Sequence, residues 1–313
     1  MKYQLFPPLS IYELGQRSNQ EDALFPLNGE ATSNTCLFVL CDGMGGHENG
    51  EVASQTVCLS LGKWFAEHVK PDCPFSDDML HDALEYVYTE LDKHDKGAIK
   101  KMGTTLTLLY MHRHGITAAH IGDSRIYHVR PGGGILYQSR DHSLVFDLFQ
   151  AGEISYEEML THPRKNIITR AMSPGIDNRM RPDIIHITDI LPDDWFYLCS
   201  DGMLEHMSNE ELLSLFSSDI TDEEKRNFLI KSTSNNQDNH TAWLIHVKDV
   251  IKEESDANLV NEEPTARSNA INIIPKTVET SNDDVVVVQE AKSSKSFLQR
   301  MKALLSFYQK KKK

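Results

Sequence analysis

The chain lacks long apolar runs, paired cysteines and an excess of basic residues. No apolar stretch approaches the roughly 18 residues of a membrane span, and residues 1–8 lack a signal-peptide core, so neither a transmembrane helix nor a secretory signal is expected. The five cysteines have no spacing typical of a metal site or a disulfide framework, which favours reduced thiols in the cytoplasm. The net charge of −14 argues against nucleic acid as a partner.

Charge and composition divide the 313 residues into three parts. We predict one folded domain over residues 1–249, an acidic and polar disordered linker over 250–290, and a basic amphipathic tail over 291–313. The tail has eight basic and no acidic side chains. Its apolar residues share one helical face, and they are Phe297, Met301, Leu304, Leu305 and Tyr308.

A basic tail with one apolar face suits either an anionic membrane surface or an acidic face of a protein partner. Because residues 1–249 are strongly acidic, docking of the tail on its own domain is a third option. A disordered tail that only improves solubility is the fourth. We favour docking on a membrane or a partner slightly over disorder.

Helices and strands occur in separate clusters within the predicted domain, which indicates an α+β fold. Apolar residues at helical spacing predict helices over Glu51–Val69 and Asp77–Asp95. Short turns between consecutive strands favour antiparallel sheets. The predicted strands are Thr104–Met111, Ile116–Ile121, Arg125–Val129 and Ile135–Gln138.

Residues 143–175 form a long insertion between strands. A short helix is predicted over Leu144–Gln150, and a capping box at Ser155 opens a second one. Long, partly irregular insertions of this kind are often lids or binding loops. An idle surface elaboration is the alternative.

Five acidic motifs recur in order along the domain. They are Arg17–Asp22, Asp42–His47, Gly122–Arg125, Ser200–Gly202 and Asp238–Asn239. Cys41 and Cys199 end two of the apolar runs that lead into these motifs, and we interpret both thiols as small buried hydrophobic groups.

Three of these motifs place a carboxylate at the end of an apolar, strand-type run. Asp42 and Asp201 follow such runs, and Asp238 precedes one. A carboxylate in an apolar setting needs a partner to stay charged. Several converging carboxylates repel each other unless a cation lies between them. An all-oxygen ligand set suits Mg²⁺ or Mn²⁺.

The motifs together resemble the metal-dependent Ser/Thr protein phosphatases of the protein phosphatase 2C type, and their bacterial branch most closely. The resemblance covers about residues 10–247 and includes three further matches, Met102–Thr105, Asp141–Val145 and Ile168–Ala171. It implies a four-layer sandwich in which two stacked antiparallel β-sheets are flanked by α-helices. It also implies hydrolysis of phosphoserine and phosphothreonine in proteins, with a metal-activated water attacking phosphorus in line.

The resemblance implies two or three Mn²⁺ or Mg²⁺ ions as cofactors. Asp42 would bridge two of them, and the backbone carbonyl of Gly43 would ligate one. Asp201 and Asp238 would complete the ligand set of the other ion.

Three further acids receive roles from the same resemblance. Glu21 and Asp22 would act mostly through metal-bound waters. Asp123 would hold a third ion together with Asp201. An aspartate taken alone is more often a turn residue or a helix cap than a ligand, and the joint pattern overturns that interpretation for Asp42, Asp201 and Asp238.

The resemblance makes Arg17 the phosphate-binding residue, and a guanidinium can hold a phosphate through two hydrogen bonds. Gln20 stands where the family usually has Asn. His47 is a candidate for the acid that protonates the departing serine oxygen, although it could merely cap the helix predicted to begin near Gly50.

Phosphorylated proteins are the implied substrates and a Ser/Thr kinase is the implied antagonist. We expect a monomer in the cytoplasm, at the inner face of the membrane if the tail binds lipid. One alternative is a non-catalytic module of the same fold that binds phosphoproteins; intact Arg17, Asp42, Asp201 and Asp238 argue against it. Another is a phosphatase dedicated to a single phosphorylated regulator.

Overall fold

The computed structural model of the protein describes residues 1–45, 49–70, 74–95, 102–176 and 179–251. Its strands are β1 (Lys2–Leu5), β2 (Leu9–Glu13), β3 (Asp22–Phe25), β4 (Leu37–Met44), β5 (Gly103–Thr104), β6 (Leu106–His112), β7 (Gly115–Ile121), β8 (Arg125–Arg130), β9 (Gly134–Gln138), β10 (Asp183–Ile187), β11 (Trp195–Cys199) and β12 (His240–Ile251). Its helices are α1 (Asn49–His68), α2 (Asp77–Asp92), α3 (Leu144–Gln150), α4 (Tyr156–Thr161), α5 (Asn209–Phe216) and α6 (Asp222–Ser232). A 3₁₀ turn covers Asp201–Leu204.

Among the described residues, the strands form two antiparallel sheets of six strands each. The first sheet runs β1-β12-β11-β8-β9, with β2 added beside β12. The second runs β10-β7-β6-β4-β3, with β5 added beside β4. Neighbouring strands are often far apart in sequence, so residues distant along the chain meet where the strands end.

Side-chain alternation along the strands explains how the sheets stack. On β11, Phe196 and Leu198 pack in the core between the two sheets, whereas Trp195 and Tyr197 face the other way, against α5 and α6. The second sheet likewise buries its outer face under α1 and α2. A strand that is covered on both faces reads as a continuous apolar run rather than an alternating one. The predicted four-layer α+β sandwich is therefore confirmed.

The predicted helices and most of the predicted strands agree with the structure to within a few residues. The prediction of one strand over Thr104–Met111 is wrong, because the chain breaks between β5 and β6 at Thr105. The amide of Thr105 donates to the carbonyl oxygen of Asp42 at 2.8 Å, and its hydroxyl accepts from the amide of Asp42 at 2.9 Å. The break therefore lets Thr105 hydrogen-bond to the end of β4. The sequence pattern of β5 and β6 alone does not indicate this contact.

The insertion over residues 143–175 carries α3 and α4, as predicted. The Ser155 hydroxyl accepts from the amide of Glu158, which confirms the capping box. Val145, Phe146 and Met159 form a small apolar cluster within the insertion.

The thiols of Cys41 and Cys199 are fully buried, as predicted. None of the helices in the described ranges is both long and apolar enough to span a membrane. The predicted linker over 250–290, beyond its first two residues, and the tail over 291–313 lie outside the described residues.

Candidate active site

The acids singled out from the sequence converge where strands of the two sheets end. Asp22 opens β3 and pairs directly with Asp42 near the end of β4. Asp201 follows β11, and Asp238 lies two residues before β12. Asp123 lies in the turn between β7 and β8. The carboxylates of Asp22, Asp123, Asp201 and Asp238 all lie close enough to Asp42 to raise its pKa.

A buried serine joins the two sheets at this point. The hydroxyl of Ser200 donates to Oδ2 of Asp22 at 2.9 Å and accepts from the amide of Thr241 at 3.0 Å. Asp22 belongs to β3 in the second sheet. Ser200 directly follows β11 and Thr241 is the second residue of β12, and both of these strands lie in the first sheet. Ser200 is completely buried, so water does not compete for these hydrogen bonds.

Thr105 holds Asp42 beside the turn that carries Asp123. Besides its two hydrogen bonds to the backbone of Asp42, its hydroxyl lies 2.8 Å from the hydroxyl of Ser124. Thr105 and Ser124 are both fully buried. The sequence places Thr105 only within a predicted strand and the motif Met102–Thr105, whereas its hydrogen bonds in the structure also support the acidic cluster.

Asn239 fixes the loop that presents Arg17. Its side-chain amide donates to the carbonyl oxygens of Leu14 and Asn19 at 2.8 and 3.0 Å, and its Oδ1 accepts from the amide of Glu21 at 2.8 Å. Arg17 therefore stands on a loop that is held at both ends. Its guanidinium donates to Oδ2 of Asp238 at 2.6 Å, and 54% of its side chain is exposed at the rim of the cluster.

Close backbone approach explains a glycine of the second motif. A Cβ on Gly43 would collide with the carbonyl oxygens of Gly50 and Glu21. The amide of Gly43 also donates to the carbonyl oxygen of Glu21 at 3.1 Å. Glycine at this position lets β4 lie against the start of α1 and the loop before β3.

Four acids of the cluster, Asp22, Asp42, Asp123 and Asp201, have raised pKa values. Burial raises the pKa of Asp22 to about 7 and the pKa of Asp201 to about 6, and neighbouring carboxylates add to both shifts. Burial and the same neighbours hold the pKa values of Asp42 and Asp123 well above their usual range. Four acids that resist ionisation in one place would be stabilised in their charged form by a bound cation.

Unpaired carboxylate oxygens in the cluster also favour a bound cation. Among the described residues, one buried carboxylate oxygen in each of Asp22, Asp123 and Asp201 has no hydrogen-bond partner. Buried polar atoms are otherwise almost always paired. A cluster of hard, unpaired oxygens beside a glycine-lined backbone fits a divalent ion that prefers oxygen ligands.

These pKa shifts predict a stability effect in the presence of a chelator. The folded state holds the Asp22 proton more tightly than the unfolded chain, so its contribution to stability should fall as pH rises from about 4 to about 7. Buried His112 and His120 act in the opposite direction, because burial lowers the pKa of each to about 4. The difference in melting temperature between Asp22→Asn and the wild type should therefore shift in favour of the variant as pH rises from 5 to 8.

Asn keeps an oxygen that can accept from Ser200, so the variant isolates the charge of Asp22 from its hydrogen bond. Parallel pH profiles of the two proteins in differential scanning fluorimetry would show that the raised pKa of Asp22 is not a property of the folded state.

The structure brings together most of the predicted site residues: Arg17, Asp22, Asp42, Asp123, Asp201 and Asp238. Glu21 lies beside them, with its side chain close to Gly50. His47 lies outside the described residues. Supporting roles for Ser200, Thr105 and Asn239 were not predicted. The only signal was that Ser200 and Asn239 stand next to motif acids and that Thr105 lies in the matching segment Met102–Thr105.

Comparisons with known proteins agree with the fold. The profile of the family described as Protein phosphatase 2C matches residues 14–244. A protein phosphatase 2C-type protein of Streptococcus pyogenes serotype M6 is 34% identical over 241 residues, which cover 75% of this chain and 94% of the relative. The serine/threonine phosphatase stp of Listeria monocytogenes is 32% identical over 235 residues, covering 73% and 91%.

Solved structures give the same result. The serine/threonine phosphatase Stp1 of Staphylococcus aureus superposes with a TM-score of 0.68 at 29% identity, covering 79% of this chain and 98% of that one. The catalytic domain of the serine/threonine protein phosphatase PstP, in complex with two manganese ions, superposes with a TM-score of 0.63 at 28% identity, covering 79% and 100%.

Fold and site together define a protein serine/threonine phosphatase. The chain belongs to the protein phosphatase 2C family.

Proposed function

We propose that this phosphatase hydrolyses phosphoserine and phosphothreonine with the help of two or three Mn²⁺ or Mg²⁺ ions held by its acidic cluster. The observation that carries the proposal is the set of unpaired, buried carboxylate oxygens on Asp22, Asp123 and Asp201. The relative with two bound manganese ions supports the choice of a divalent metal.

Asp42 and the carbonyl oxygen of Gly43 would hold one ion, and Asp42, Asp201 and Asp238 the other. Such ions would lower the pKa of a bound water and would neutralise charge on the phosphoryl oxygens. The protein supplies the geometry, because Asp42 is fixed by its strand pairing with Asp22 and by Thr105.

Glu21 and Asp22 would contribute to the centre through water, and Asp123 would hold the third ion together with Asp201. The place of Asp22 is set by the hydroxyl of Ser200, which occupies one carboxylate oxygen and leaves the other free. A carboxylate fixed on one side and open on the other is suited to orient a water.

Arg17 would bind the phosphoryl group of the substrate. Its guanidinium is exposed at the rim of the acidic cluster and reaches Asp238, so it stands where an incoming phosphate would meet the metals. Its planar donors can hold two phosphate oxygens at once. His47 remains the candidate for the acid that protonates the departing serine oxygen, with helix capping as the other role.

Phosphorylated proteins are the substrates of such an enzyme, and a Ser/Thr kinase that adds the same phosphates would be its antagonist. Association of the tail over 291–313 with anionic lipid or with a protein partner remains a prediction from the sequence. The intact cluster does not favour a non-catalytic binding module.

The decisive test is hydrolysis of a phosphothreonine peptide. The full chain should release phosphate with Mn²⁺ or Mg²⁺, lose this activity after exhaustive chelation, and regain it when metal is restored. Alkylation of thiols should have no effect, because the proposed chemistry uses no cysteine. Full activity in the chelated protein would refute the metal requirement.

The support given to Asp42 by Thr105 leads to a matched pair of substitutions. Thr105→Val leaves the amide of Asp42 without its acceptor, whereas Thr107→Val removes an equally buried hydroxyl that donates to Leu40 at 3.0 Å. Both should lose about 1–3 kcal/mol of unfolding free energy.

Only Thr105→Val should also raise the Mn²⁺ concentration for half-maximal activity, by about 10-fold or more. Urea denaturation and Mn²⁺ titration of the activity give the two quantities. Equal Mn²⁺ requirements in the two variants would mean that Thr105 stabilises the fold without supporting the site.

A further inference from the structure

One histidine connects the insertion over residues 143–175 to the turn that carries Asp123. The amide of His142 donates to the carbonyl oxygen of Gly122 at 2.9 Å, and its Nδ1 accepts from the amide of Gly122 at 3.1 Å. Both backbone polar groups of Gly122 are therefore held by one residue. Gly122 has a φ of 105°, a conformation that other residues rarely adopt, and it directly precedes Asp123.

The other side of His142 is fixed as well. Its Nε2 lies 3.2 Å from Oδ2 of Asp183, the first residue of β10, and its carbonyl oxygen accepts from the amide of Thr169 at 2.8 Å. Arg170 also donates to Asp183, at 3.2 Å. His142 is only 3% exposed, so the ring has little freedom to move. It thus joins the start of the insertion, the end of the insertion and β10.

The hydrogen bonds around the ring assign its proton. Nδ1 accepts from the amide of Gly122, so in a neutral ring the proton is on Nε2. Nε2 then donates to Asp183 at 3.2 Å and does not accept from the guanidinium of Arg170, which lies farther away at 3.4 Å. This hydrogen bond lowers the pKa of Asp183 to about 2. His120 stacks on His142 with ring centroids 4.7 Å apart and donates from Nε2 to the carbonyl oxygen of Arg140 at 2.6 Å.

His120, His142 and Asp183 offer ligand-type atoms within 4.8 Å of one another, as a metal site would. A metal on Nε2 of His142 would require the proton on Nδ1. That proton would point at the N–H of Gly122, and two donors would face each other. The hydrogen bonds therefore favour a positioning network over an ion at this place.

We propose that His142 is a positioning residue for Asp123, holding the Gly122 peptide so that the Asp123 carboxylate faces the acidic cluster. The proposal rests on the proposed role of Asp123 as a metal ligand. Asp123 is 7% exposed and one of its carboxylate oxygens is unpaired, so its direction depends on the backbone that carries it. Residues that orient a metal ligand affect metal affinity or activity by about 10–100-fold when replaced.

Three substitutions of His142 separate its contacts. His142→Phe keeps a flat ring for the stack on His120 but removes the polar contacts of the ring with Gly122, Asp183 and Arg170. His142→Asn keeps an acceptor near the position of Nδ1, facing Gly122. His142→Gln keeps a donor near the position of Nε2, facing Asp183. His112→Phe is the control, since it replaces another buried histidine, whose ring contacts the hydroxyl of Thr117 and the amide of His114 outside the acidic cluster.

Mn²⁺ binding to the full chain is measured by isothermal titration calorimetry, with circular dichroism to verify folding. We expect His142→Phe to weaken the Mn²⁺ site that Asp123→Asn also weakens, by about 10-fold or more. His142→Asn should bind Mn²⁺ more tightly than His142→Gln, and His112→Phe should match the wild type. Equal binding by folded Asn and Gln variants would overturn the proposal, even if the Phe variant does not fold.

Combining His142→Phe with Asp123→Asn distinguishes the positioning role of His142 from the ligand role of Asp123. In that background, His142→Phe should cause no further loss of Mn²⁺ binding. If Asp123→Asn weakens Mn²⁺ binding while His142→Phe does not, the positioning role is overturned and the ligand role of Asp123 stands. If Asp123→Asn leaves Mn²⁺ binding unchanged, the ligand role is overturned and the positioning role with it.

Discussion

Replacing Asp42 by Asn is expected to lower kcat/KM for a phosphothreonine peptide by about 1000-fold. Asp42 is the acid proposed to touch both principal ions, and a metal contributes several kcal/mol of transition-state stabilisation. A loss of about 4 kcal/mol corresponds to this factor. Initial rates over a range of peptide and Mn²⁺ concentrations give the value. Asp189→Asn is the control, since Asp189 is 76% exposed and pairs with Arg130, outside the cluster.

The same substitution should have the opposite effect on stability in the presence of a chelator. Burial and four neighbouring carboxylates raise the pKa of Asp42, so removal of its charge relieves repulsion in the folded protein. We therefore expect a higher melting temperature for Asp42→Asn than for the wild type at pH 8 with chelator. Near-normal turnover at low Mn²⁺ would show that Asp42 is not a ligand.

The second large effect is expected at Arg17. Arg17→Ala should raise KM for the phosphopeptide and lower kcat/KM by about 100-fold, because charge-assisted hydrogen bonds contribute about 1.5–3 kcal/mol each. Arg17→Lys should recover only part of the loss, since an ammonium group cannot hold two phosphate oxygens in one plane. Steady-state kinetics with saturating Mn²⁺ separates the KM effect from the metal requirement.

Calorimetric Mn²⁺ titration of Arg17→Ala is the matching control. Arg17 contacts Asp238, so a modest change in Mn²⁺ affinity is compatible with the proposed role. An unchanged KM would instead place Arg17 among the surface arginines with no part in substrate binding.

Much of the fold could be predicted from the sequence because the relevant signals are local. The apolar runs that end at Cys41 and Cys199 belong to strands that are buried on both faces. Their length and continuous apolar composition are sufficient to predict such strands. The helices α1 and α2 follow from apolar spacing within a single segment. The break at Thr105 could not be predicted, because it depends on contacts with Asp42, 63 residues away.

The site divides in the same way. The sequence by itself predicted the type of ligand, since aspartates at strand ends within ordered motifs imply oxygen ligands and a divalent cation. It also determined the family, because the motifs keep their order along the chain. Neither conclusion requires knowledge of which side chains touch.

Only the tertiary structure decided which residues hold the acids in place. Ser200 meets Asp22 across 178 residues, and His142 meets Gly122 across 20. Serine, threonine and histidine are common in strands and turns, and nothing in their local sequence distinguishes a supporting residue from a packing residue. Their partners are set by strand register and by the stacking of the two sheets, which are properties of the whole domain and not of any one segment.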